Sequence, residues 1–117
     1  MQKNDVKLFV DLHGLSSKRD SIVDICIDGG KNVNNMANIF CLQKKIEEKF
    51  FKNACSVDKY FQAFLDNVMS KWVYSTFHVD AIELEINGAY RWFEGDTQKQ
   101  SLDLYLTLKE WLEDILK

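Results

Sequence analysis

The 117-residue chain contains no proline and only two histidines. It also lacks any long hydrophobic run: the longest uninterrupted apolar stretches, such as Ile39 to Leu42, are a few residues long. A bilayer span needs roughly 18 or more apolar residues, so no transmembrane helix is expected. The amino terminus meets Asp5 and Asp11 before a secretory apolar core can form, and neither a signal peptide nor a membrane anchor is expected. No block of like charge is longer than two residues, as in Lys44-Lys45 and Glu47-Glu48, and 15 basic against 18 acidic residues leave a net charge of −3. A nucleic-acid module normally carries a basic face and a high pI, so that class is disfavoured.

Cys26, Cys41 and Cys55 form no C-x-x-C pair and no zinc-finger spacing. Their apolar neighbours read as three buried thiols in a reducing, cytoplasmic setting. With no linker, repeat or low-complexity tract, residues 1–117 read as one domain, large enough to bury a core without disulfides or a structural metal.

Val6 to Leu12 is β-branched and apolar and ends in His13-Gly14, the pattern of a buried strand opening into a loop. Ile22 to Ile27 reads as a second strand, stopped by the Asp28-Gly29-Gly30 turn. That turn lacks the G-x-x-x-x-G-K-[ST] spacing of a phosphate loop. Met36, Ile39, Phe40, Leu42, Ile46 and Phe50 predict an amphipathic helix from Asn35 to about Lys52, with Lys44, Lys45, Glu47 and Glu48 on its solvated side. Ser56 to Leu65 suits either element and is assigned a strand, whereas Asn67 to Phe77 reads as a short helix.

Val79 to Asn87 predicts a strand with Ile82, Leu84 and Ile86 on one face and Glu83, Glu85 and Asn87 on the other. Thr97 and Gln100 match a capping box ahead of a final helix running through Leu102, Leu104, Leu108, Trp111 and Ile115. Helices interleaved with near-continuous apolar strands predict an α/β fold with a mixed, partly parallel sheet packed by helices. Sites in such sheets form at the carboxyl edges of strands.

His13 and Glu85 fall at or near those edges. An imidazole just past a strand suits a metal ligand or base, with Asp11 two residues earlier on the same face to orient the ring. Glu85 is costly in a strand whose other face is Ile-Leu-Ile unless it is paired or used, for example as a general base. The competing expectation is that Glu83 and Glu85 face solvent on an edge strand. Arg19 and Arg91, the two arginines, each follow a predicted strand and suit recognition of an anionic substrate. His78 precedes a strand and should lie at the edge opposite His13.

Phe9-Val10-Asp11-Leu12-His13-Gly14, a loop with Arg19, and Asp80-Ala81-Ile82-Glu83-Leu84-Glu85-Ile86-Asn87 followed by Tyr90 together resemble the second half of the N-formylglutamate amidohydrolase family. The resemblance implies the carboxyl-terminal part of a zinc-peptidase-like α/β sandwich, that is, a partial amidohydrolase domain. It implies that His13 supplies a zinc ligand and that Glu85 is the carboxylate activating zinc-bound water for amide hydrolysis. Arg19, Arg91 and Asn87 would then contact a small anionic N-acyl amino acid. Two departures stand out: Glu83 occupies a position where the family often carries glutamine, and the following loop reads Gly-Ala-Tyr-Arg-Trp rather than Arg-x-Leu-Tyr.

In that family two further zinc ligands lie upstream of the Asp-Leu-His strand, so zinc is expected only if residues outside this chain, on an upstream polypeptide or second subunit, complete the site. Zinc held by the chain alone would require other ligands, with His78 and Glu83 the candidates. The alternative expectation is a non-catalytic α/β binding domain that has lost the metal site.

Overall fold

The computed structural model describes residues 6–60 and 69–117. Four strands form one sheet: β1 (Phe9–Leu15), β2 (Val23–Cys26), β3 (Cys55–Val57) and β4 (Ala81–Asn87), in spatial order β1-β4-β2-β3. Three α-helices accompany them among the described residues: α1 (Met36–Lys49), α2 (Met69–Phe77) and α3 (Gln98–Ile115). The sheet is mixed, as expected. β1 runs parallel to β4, β2 runs parallel to β3, and the β4–β2 seam is antiparallel.

β4, the last strand in the chain, therefore lies inside the sheet, and all seven of its residues are buried. This overturns the solvent-facing edge strand for Glu83 and Glu85, because both sides of β4 are taken by partners. β1 also runs further than its sequence suggests, so His13 and Gly14 are strand residues in register with Glu85 and Ile86 rather than the start of a loop.

Apolar packing gathers on one face. Ile82, Leu84 and Ile86 of β4 and Val23 and Ile25 of β2 form one cluster with Ile39, Leu42 and Ile46 of α1 and with Leu104 and Trp111 of α3. The Trp111 indole N–H also donates to the Asn38 carbonyl (2.8 Å), tying α3 to the first turn of α1. α2 packs on β1 and β4 and contributes nothing to that cluster.

Asn35 caps α1 by accepting from Ala37 N–H (3.2 Å), and the loop before it is pinned by Asp80, whose carboxylate accepts from the amides of Asn34 and Asn35. The apolar stripe of α1 is narrower than the sequence implies. Phe40 and Cys41 point outward, because positions 39, 42 and 46 already fill the core-facing side. Cys26 and Cys55 are the buried thiols.

At α3 the expected capping box is not made. Thr97 has no side-chain cap bond, and Gln100 Nε2 instead donates to the Ala89 carbonyl, holding the turn after β4. Of the segment Ser56 to Leu65, the strand Cys55–Val57 covers only Ser56 and Val57, and residues 61–65 lie outside the described residues, as do Asn67 and Val68.

Candidate functional site

Strand alternation places every odd-numbered residue of β1 and β4 on the face opposite the apolar cluster. The register sets Asp11 beside Glu83 and His13 beside Glu85. Across the antiparallel seam Glu83 faces Cys26 and Glu85 faces Asp24, and Asp24 in turn neighbours Ser56 of β3. The result is one polar band crossing all four strands, with Glu83 2% and Glu85 7% exposed.

Within this band the groups divide by how well they are satisfied. Asp24, fully buried, accepts from Ser56 Oγ (2.8 Å), from the Lys59 amide (3.0 Å) and from the Tyr60 amide (2.9 Å), so it braces the segment after β3. Asn87 is equally committed to structure. Its Nδ2 donates to the carbonyls of Arg19 (3.1 Å) and Ser21 (3.0 Å), and its Oδ1 accepts from Ala89 N–H (2.9 Å). By contrast, Glu83 Oε2 is buried and has no hydrogen-bond partner among the described residues. Such a group costs on the order of 1–3 kcal/mol, more when charged.

His13 Nε2–H donates to Asp11 Oδ2 (2.9 Å), so Asp11 does meet the ring as its sequence position suggests. That bond, together with the negative charges of Asp11, Glu83 and Glu85, raises the imidazole above its ordinary pKa. Burial pushes the carboxyls of Glu83 and Glu85 upward, opposed by the His13 charge and reinforced by neighbouring acids. The Cys26 thiol is raised far more, again chiefly by burial.

Two groups of side chains bring potential metal-ligand atoms within 4.8 Å of one another: Asp11, His13 and Glu83, and the wholly buried set Cys26, Glu83 and Glu85. The first joins the sequence-predicted ligand His13 to Asp11, two residues before it on β1, and to Glu83, the β4 partner of Asp11. The chain thus offers three donors by itself, where the sequence suggested that residues from outside must complete the site. His78 belongs to neither group. It is exposed beyond α2 with its amide bonded to the Tyr74 carbonyl (2.9 Å).

The two arginines take different positions. Arg91 lies with its guanidinium between Gly14 and Gly88, where an added Cβ would come within 2.7 Å and 2.9 Å of its nitrogens, and it donates to the Leu15 carbonyl. Arg91 and His13 line one cavity of about 440 Å³, walled by Leu12, Tyr90, Phe93 and Tyr105. Arg19 instead stacks its guanidinium 5.1 Å from the centre of the Tyr60 ring and does not line that cavity.

Asp24 and Cys26 are the members that sequence reasoning passed over as site residues, and Glu83 entered it only as a candidate ligand for a chain holding zinc alone. For Asp24 and Cys26 the available signal was polar residues two apart in an otherwise apolar strand, Ile22 to Ile27. For Glu83 it was a second acid in phase with Glu85. Comparison with protein-family models, with curated proteins and with solved structures gives no match for this chain.

Proposed function

We propose that the chain carries the catalytic face of a metal-dependent amide hydrolase for small anionic N-acyl amino acids, with N-formylglutamate as the type suggested by the sequence resemblance. The observation that supports this most is Glu83: a nearly fully buried carboxylate with an oxygen left over, set among Asp11, His13 and Glu85. Burying several carboxylates side by side is unfavourable unless protons or a cation neutralise them. One imidazole and two carboxylates form a donor set that zinc accepts. Asp11, His13 and Glu83 would hold the ion. Bound zinc would supply Lewis acidity, polarising the scissile carbonyl and making water a better nucleophile at neutral pH.

The remaining work falls to the chain's own groups. Glu85, in register with His13 and two residues along β4 from Glu83, takes the proton from the attacking water and returns it to the leaving amine. Arg91, held against Gly14 and Gly88 at the carboxyl ends of β1 and β4, pairs with the substrate carboxylate. Asn87 keeps the β4 turn and the Arg19 loop in place through its backbone bonds. On this reading the sheet is the carboxyl-terminal part of a zinc-peptidase-like sandwich, and an upstream polypeptide or second subunit would close over the metal-binding groups.

Calorimetric titration of the metal-stripped chain with Zn²⁺ tests the proposal. One site is expected, weakened more than about 100-fold by Asp11→Asn, which removes a charged ligand, and lost in His13→Ala. In the zinc-loaded chain, Glu85→Gln should lower N-formylglutamate hydrolysis by about 10²–10⁴-fold while leaving zinc uptake intact. A wild-type chain that binds zinc no better than the His13→Ala variant overturns the reading.

A further inference from the structure

We infer that the cavity of about 440 Å³ between the end of β1, the loop after β4 and α3 is a binding site for a small apolar monocarboxylate. It lies on the side of the sheet away from Glu83 and Glu85. Leu12 and Ile86 are in phase with the apolar strand positions, and Leu104 and Leu108, four residues apart on α3, wall it from the helix. Its volume is at the lower end of the range that holds small ligands, roughly 300–1,000 Å³.

The walls are fixed before any ligand arrives. The Gln100 side-chain amide donates to the Ala89 carbonyl, and Trp92 N–H donates to Ser101 Oγ (3.1 Å), so the loop is tied to the first turn of α3 at two points. Farther along, the Phe93 and Tyr105 rings meet edge to face with their centroids 6.2 Å apart. Groups already held in this way lose little freedom when a ligand enters.

Charge selects the occupant. Gly14 and Gly88 lack the Cβ atoms that would meet the Arg91 nitrogens at 2.7 Å and 2.9 Å, so the guanidinium lies against the ends of β1 and β4. Among the described residues it makes one long hydrogen bond, to the Leu15 carbonyl (3.4 Å), and no acid pairs with it. His13, the other basic residue at the rim, is engaged by Asp11. No acidic residue lines the cavity, although the whole chain carries a net charge of −3. A guanidinium with open donors beside apolar and aromatic walls fits a ligand with one carboxylate and an aromatic or aliphatic tail. A phosphate dianion would find one cation for two charges. If Arg91 also takes the carboxylate of a hydrolase substrate, as proposed above, the two ligands exclude each other, but filling the cavity needs no metal.

Calorimetric titration of the metal-stripped chain with phenylbutyrate keeps this test apart from that of the metal site. A Kd below about 1 mM is expected. Phenylbutanol, with the same tail and no charge, should bind about tenfold or more weakly. Arg91→Gln should bring the acid down to the affinity of the alcohol. Gly14→Ala, which pushes the guanidinium aside without removing its charge, should weaken the acid and leave the alcohol nearly unchanged. Phe93→Ala, at an exposed position, should weaken both. Acid binding that is no tighter than that of the alcohol, that survives Arg91→Gln, or that appears only after zinc is added overturns the inference. So does a short peptide ending in a phenylalanine with a free carboxylate that binds more than about tenfold tighter than phenylbutyrate, which would mark a site for protein carboxyl termini instead.

Discussion

The two faces of β4 are equally buried and chemically opposite. Ile82, Leu84 and Ile86 lock into α1 and α3, whereas Glu83 and Glu85, one residue out of phase, lie in a band with Asp11, His13, Cys26 and Asp24. On the first face burial stabilises the fold by about 25 cal/mol per Å² of apolar surface. On the second it opposes folding, because carboxylates leave water without full compensation. The difference separates residues that hold the sheet together from residues whose energetic cost is offset only when something binds.

Substitutions on the two faces should therefore move stability in opposite directions. Trp111→Ala, which empties a fully buried site between α1 and α3, is expected to cost about 3–5 kcal/mol in urea unfolding. Glu83→Met, close in volume and free of the orphaned oxygen, is expected to gain about 1–3 kcal/mol at neutral pH while abolishing zinc uptake. If Glu83→Met destabilises as much as the core truncation, the polar band is a structural network and the contrast fails.

Acid titration sharpens the same comparison more gently. The folded metal-free chain holds protons on Glu83 and Glu85 more tightly than the unfolded chain does, because burial raises both carboxyls, and the Asp11 bond does the same for His13. Groups with raised pKa values stabilise fully below their unfolded values and lose that contribution as pH rises through the folded ones. Thermal melts of the metal-free protein should thus show falling stability from the ordinary carboxyl range toward neutrality. Glu83→Met should flatten the slope, and a slope of the opposite sign would place the balance elsewhere.

The smallest expected effect is kinetic. Cys41 should react promptly with a thiol reagent at pH 8. Cys26, on the polar band, and Cys55, whose thiol burial pushes up to about 12, should react only after unfolding. Three fast thiols by absorbance would show that the polar band opens readily.

Much of this was legible in the sequence because it is local. Strand alternation in Ala81–Asn87, the 3–4 spacing of α1 and α3, and the glycine turn after Ile27 each reflect a period or a backbone constraint carried by neighbouring residues. Strand order is not local. Nothing between Val79 and Asn87 states that β1 and β2 will flank it, so Glu83 and Glu85 looked compatible with a solvent face until the pairing with Asp11, His13, Asp24 and Cys26 appeared. Gln100 illustrates the same limit. Its spacing from Thr97 matched a cap, but the Ala89 carbonyl, brought close by the turn after β4, is the acceptor it uses.

The position of β4 also bears on how the chain is born. The strand that joins the two halves of the sheet is made last, with Phe9 waiting for Ala81 as its partner. As synthesis proceeds from the amino end, β1 emerges before β4 and waits for that strand as its ladder partner. Assembly then requires a late strand to enter between β1 and β2, a long-range closure that slows folding. During that interval the Phe9–Leu15 segment has not yet gained the β4 ladder that it makes in the finished sheet.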